Sequence, residues 1–83
     1  MIYRLIREND QMNLTGREIK WFIFGSKIKA YETIRLNSCL VLDPQLFSYT
    51  WMTTPITEII EEKEDYVKFK TKNSIYELFI YKN

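Results

Sequence analysis

Eighty-three residues are enough for one domain, spanning 1–83, and leave no room for a second core. Apolar residues make up 46% of the chain and aromatic ones 16%, a composition far from that of disordered segments. A formal charge of +1 excludes both the basic excess of a typical nucleic-acid binder and the acidic excess of a nucleic-acid mimic.

In chain order, residues 2–7 (I-Y-R-L-I-R) are short and fit either strand or helix, with strand favoured. The polar stretch from Glu8 to Gly16 comes next, with turn signals at Asn9-Asp10 and Thr15-Gly16. Glu18 to Phe24 is dense in β-branched and aromatic residues and predicts a strand. Ile19, Trp21 and Ile23 share one of its faces; Lys20, Phe22 and Phe24 share the other.

Residues 27–36 carry two periodicities. At period two, Ile28, Ala30, Ile34 and Leu36 align, with Glu32 as the misfit. At helical spacing, Ile28, Tyr31 and Arg35 align, with Ser26 as a potential N-cap. The helical stripe has few apolar members, so an extended segment is favoured and one short helix at 27–36 stays open.

Asn37-Ser38 marks a turn, Cys39 to Leu42 a continuous apolar strand, and Asp43-Pro44 its end. Within that apolar run the lone Cys39 reads as a small buried hydrophobe of a reduced compartment. Gln45 to Met52 (Q-L-F-S-Y-T-W-M) is a loop with an unusual aromatic content. Pro55 cannot donate to a ladder and marks a strand start, so Ile56 to Glu61 is the next strand and 61–65 a solvated charged turn.

The last hairpin can be registered from its side chains. With Lys72-Asn73 as a two-residue turn, Thr71 faces Ser74, Phe69 faces Tyr76, Val67 faces Leu78 and Lys68 faces Glu77. Asn73 would supply the positive φ of a type I′ turn. Tyr66, Ile75, Phe79 and Tyr81 fall on the second face, which calls for partial cover. Together these signals predict an all-β fold: a small closed or partly open antiparallel barrel of five or six short strands.

Chemistry is sparse. Without histidine there is no imidazole base, and with one cysteine there is no internal disulfide and no zinc site of thiols and imidazoles. Gly16 and Gly25 stand too far apart for a phosphate-cradling loop. Asp43 with Gln45 is too few oxygens for a hard cation. The sequence therefore predicts no enzyme, no cofactor and no metal.

Binding is the better expectation. Phe47, Tyr49 and Trp51 alternate and would project together, with Met52 beside them. Such rings can stack on a base or anchor a protein; the alternative is that they plug the open end of a barrel. Thr53, Thr54, Asn73 and Ser74 would add neutral hydrogen-bonding groups near the same strand ends, and Arg35 a phosphate or carboxylate clamp.

Thr53-Thr54-Pro55-Ile56, the aliphatic Ile59 and the run from Thr71 to Leu78 (T-K-N-S-I-Y-E-L) form a pattern of their own. It resembles a strand-turn-strand signature of small bacteriophage and prophage accessory proteins, and covers about the last third of the chain. Thr54 stands where serine is common and Ile56 where valine is common. The resemblance implies a phage origin more than any activity. Joined to the binding residues above, it makes the leading expectation a non-enzymatic accessory or anti-defence protein in the host cytoplasm. It would bind a host defence protein or sequester a small signalling nucleotide such as a cyclic nucleotide, as a homo-oligomer. Two alternatives accompany that expectation. One is a small barrel binding single-stranded nucleic acid through Lys20, Lys68 and Lys70 with Phe22, Tyr66 or Phe79. The other is a structural or oligomerisation module of a phage. No apolar run approaches the ~20 residues of a membrane span, so no membrane partner is expected.

Overall fold

The computed structural model describes residues 1–45 and 48–82. Among the described residues, nine strands form two antiparallel sheets and there is no helix. The large sheet has the order β2-β1-β9-β8-β7, from β1 (Ile2–Arg7), β2 (Met12–Gly16), β7 (Ile56–Glu62), β8 (Tyr66–Thr71) and β9 (Ile75–Tyr81). The small sheet has the order β4-β3-β5-β6, from β3 (Ile19–Ile23), β4 (Lys29–Tyr31), β5 (Cys39–Leu42) and β6 (Trp51–Met52).

Side-chain alternation sets which face each strand buries. Leu5, Val67, Phe69, Tyr76 and Leu78 of the large sheet meet Trp21 and Leu40 of the small one, with Ile34 and Ile56 closing the cluster. Phe69 is its centre: it is fully buried, packs edge-on against Trp21 at 5.6 Å between centroids and stacks on Tyr76 at 5.3 Å. The two sheets are thus layers of one sandwich around aromatic rings, whose area makes a small core sufficient.

The expected barrel does not close. Residues 50–56 run beside β5, where Thr50, Thr53 and Ile56 donate to Leu42, Leu40 and Ser38 at 2.8–2.9 Å. That joins the two sheets along one side only. Closure fails because the strands that would complete it cannot pair along their length. β6 has two residues, β4 has three, and β7 is broken by two register shifts, at Ile56/Glu58 and Ile59/Glu61.

The final hairpin has the register that its side chains predict, from Tyr66 opposite Phe79 to Lys70 opposite Ile75. Its turn differs. Asn73 does not take positive φ; Gln11, Asn37 and Asp43 do. The buried Thr71 hydroxyl supports the turn instead, accepting from Ser74 N–H at 3.3 Å. A side chain thereby replaces the backbone bond that a type I′ turn would make.

Three further expectations change. β2 is an additional strand, in which Met12 and Leu14 alternate with Asn13 and Thr15; Thr15-Gly16 ends it rather than making a turn. A Cβ on Gly16 would lie 2.6 Å from Leu42 Cδ1 and 2.9 Å from Asp43 Oδ2, so only glycine fits where β2 passes β5. Residues 27–36 hold no helix. Lys29–Tyr31 pairs with β3, and the chain then folds back with the Arg35 guanidinium over the Tyr31 ring at 3.9 Å. Nor do the period-two residues share a face: Ile34 is buried, while Ile28 and Leu36 are exposed. Cys39 is buried, as its apolar run predicts, and burial pushes its thiol up from the usual value.

On the outer face of the large sheet, Tyr66 donates to Glu77 Oε2 at 2.6 Å and tilts against Phe79 at 5.1 Å. Desolvation and that carboxylate push the phenol up to about 12. The folded chain therefore holds this proton more tightly than the unfolded chain. The stabilisation is complete below pH 10 and is lost as pH rises through 12. In an absorbance titration one tyrosine should ionise last, and Tyr66→Phe should remove that late step.

Candidate functional site

The turn after β5 organises one end of the sandwich. Asp43 sits at φ 52°, an αL position that aspartate tolerates. Its Oδ1 accepts from Arg17 N–H at 2.8 Å and Glu18 N–H at 3.1 Å, and its Oδ2 from the Thr50 hydroxyl at 3.2 Å. Asp43 N–H in turn donates to Glu18 O at 2.7 Å. One carboxylate therefore ties the β2–β3 connection, β5 and the approach to β6 together.

Beyond that turn, the chain places Tyr49 and Met52 against the outer face of the small sheet. β3 and β5 pair with Phe22 opposite Cys39, and Val41 stands opposite Met52. These four share the face turned away from Trp21 and Leu40. The result is an apolar groove of about 280 Å³, lined by Phe22, Phe24, Ile28, Val41, Tyr49 and Met52, with Pro44, Gln45 and Ser48 at its margin. Phe22 and Phe24 stack at 6.0 Å. Phe24 is 50%, Tyr49 54% and Ile28 64% exposed, so the groove walls are large side chains left in water.

Lys27 and Lys29 flank Ile28 in sequence and are both exposed, while Lys20 is tied to Glu32 by an ion pair. Lys29 stands opposite Ile23, on the sheet face turned away from Phe22, so the lining of the groove is apolar and uncharged.

The alternating aromatics do not project together. Trp51 turns inward, packs against the core and lies under the Arg7 guanidinium at 5.2 Å from its ring. Asp10 fixes that guanidinium in a paired contact, and the contact pulls the Asp10 carboxyl down to about 2. The Trp51 Nε1–H is buried without a hydrogen-bond partner among the described residues. Tyr49 is outward, and Phe47 lies outside the described residues.

The neutral groups are also dispersed. Thr53 is 3% exposed, and its hydroxyl accepts from Leu40 N–H at 2.9 Å, a structural duty. Thr54 is exposed. Asn73 and Ser74 line a separate hollow of about 270 Å³ with Glu8, Asn9, Lys70 and Lys72, sharing no residue with the apolar groove. Arg35 is engaged over Tyr31.

Sequence reading missed Phe24 and Ile28 as binding residues. The signal was present: Phe22 and Phe24 share a face, and the Gly25-Ser26 break leaves Lys27 and Ile28 in solvent. Among the described residues no three His, Cys, Asp or Glu side chains cluster as metal ligands. No helix there is long and apolar enough to cross a membrane. No family model, curated protein or solved structure matches this chain.

Proposed function

We propose that this chain is a non-catalytic binding protein whose apolar groove on the small sheet takes an anchor side chain from a partner protein. The observation that carries the reading is the convergence of Phe24, Ile28 and Tyr49, each at least half exposed, around one groove on a sheet face. Buried aromatic and aliphatic anchors dominate binding energy at protein interfaces. In the phage setting implied by residues 53–78, that partner is a host defence protein, and the groove works by occupying its surface.

A signalling nucleotide is the weaker reading. Its expected walls and donors are split between Trp51, turned inward, Thr53, already bonded, and a turn elsewhere. Single-stranded nucleic acid is weaker still. Lys68 lies opposite Glu77 and Glu61, Lys70 opposite Glu58, and Lys20 pairs with Glu32. Each basic group proposed for a phosphate has a carboxylate beside it.

A displayed random-peptide library selected on the full chain tests the reading. Enriched peptides should share a large apolar residue. Phe24→Ala and Ile28→Asp should each weaken their binding at least about tenfold, 1.4 kcal/mol, with unchanged circular dichroism. No enrichment, or equal binding to both variants, would remove the groove from consideration.

A further inference from the structure

Four strands lie at sheet edges: β2 and β7 in the large sheet, β4 and β6 in the small one. Open edges template pairing with other chains and are normally blunted by shortness, charge, proline or bulges. β4 and β6 are short, and β4 carries Lys29. β7 has two register shifts and ends in Glu61-Glu62. β2 has no such protection: Met12-Asn13-Leu14-Thr15-Gly16 is uncharged and runs in unbroken register with β1.

The ladder fixes which of its groups are free. Glu8 N–H donates to Ile75 O at 2.8 Å, continuing the register in which Arg7 stands opposite Tyr76. Antiparallel ladders alternate bonded and non-bonded pairs. Arg4, Ile6 and Glu8 therefore bond to β9, whereas Tyr3, Leu5 and Arg7 bond to Gly16, Leu14 and Met12 of β2. The N–H and C=O groups of Asn13 and Thr15 point away from β1. No described residue outside the strand ladder takes them up.

We propose that this edge pairs with the same strand of a second copy, antiparallel, about a twofold axis at Leu14. In that register Asn13 of each copy faces Thr15 of the other and all the outward groups of both residues are bonded. Leu14 meets Leu14 at a non-bonded position, and Met12 lies over Gly16, where no side chain competes. The neighbouring registers fail. Centred on Thr15, the edge would need Arg17 N–H, which is committed to Asp43. Centred on Asn13, it would need Gln11, which leaves the strand at φ 58°. The self-complementary register is what selects a second copy over an arbitrary extended peptide. Leu14 and Met12, half-buried at the margin of the sandwich, gain cover. One edge of this length makes a small interface, so the dimer is concentration-dependent.

Sedimentation velocity on the full chain should show a reversible monomer–dimer equilibrium. Thr15→Pro removes an outward N–H and no bond within the chain, and should shift the equilibrium at least about tenfold toward monomer. Leu14→Cys places two thiols on the axis with Cα atoms about 4.5 Å apart, within disulfide reach. Mild oxidation should yield a covalent dimer, whereas Thr15→Cys, off the axis, should not; the buried Cys39 contributes no background. A monomer at every concentration, a dimer that survives Thr15→Pro, or equal cross-linking by both cysteine variants would overturn the proposal. Should Thr15→Pro unfold, the two cysteine variants decide alone. None of these results depends on the apolar groove, which lies on the other sheet.

Discussion

Replacing Phe69 with alanine is expected to remove about 3–5 kcal/mol of stability. The ring is fully buried and touches both layers, through Trp21 across the sandwich and Tyr76 beside it in its own sheet. Deletion loses the transfer free energy of the ring and leaves a cavity that two rigid aromatic neighbours cannot fill. A chain of this length has a total stability of about 4–12 kcal/mol at the usual per-residue value. The variant should therefore lose from about a quarter to all of that total. If a transition is still seen, its urea midpoint should fall by about 3–5 M, taking a slope near 1 kcal/mol per M. Phe69→Leu, which keeps most of the volume, should fall between the two.

Replacing Asp43 with alanine should cost about 2–3 kcal/mol, although the residue is only half-buried. The carboxylate accepts two backbone N–H groups of the β2–β3 connection and one hydroxyl from the approach to β6. Charge-assisted bonds of this kind are about twice as strong as neutral ones. Alanine also has to hold φ 52° without the local hydrogen bonding that lets aspartate do so. Asp43→Asn keeps an acceptor and tolerates αL backbone, so it should lose less than about 1 kcal/mol. Thermal or urea unfolding of the pair separates the two contributions, because only alanine loses both. The same substitution should loosen Tyr49 and one wall of the groove, so binding of a selected peptide should weaken in Asp43→Ala more than in Asp43→Asn.

The parts of this fold that are legible in sequence are those where neighbours in space are also neighbours in pattern. In the β8–β9 hairpin, Phe69 and Tyr76, Val67 and Leu78, and Lys68 and Glu77 identify each other across a short turn. Cys39–Leu42 is legible because four consecutive apolar residues admit no exposed face, and all four are buried. The features that local pattern does not reveal depend on distant contacts. Residues 27–36 have a local period that nothing distant supports. Their geometry is set by β3, by the Tyr31–Arg35 contact and by Ile34 entering the core. Strand count alone suggests closure of a barrel, but the register shifts of β7 and the shortness of β6 are invisible without partners.

The candidate site is half legible for the same reason. Alternation places side chains together only along a strand, and the described residues between Asp43 and Trp51 form no strand. Tyr49 and Trp51 therefore part, one to the surface and one to the core. Met52 keeps its place because Val41 opposite it continues an apolar face. Phe24 and Ile28 are each ordinary apolar residues when read alone. They matter only where the hairpin brings them beside Tyr49.

The most direct test of groove binding is chemical-shift mapping of the full chain with an apolar peptide selected on it. The predicted result is a set of perturbed amides and side-chain methyls at Phe22, Phe24, Ile28, Tyr49 and Met52, with the large sheet unmoved. Perturbations centred on Asn73 and Ser74, or on Lys68, Lys70 and Phe79, would contradict it.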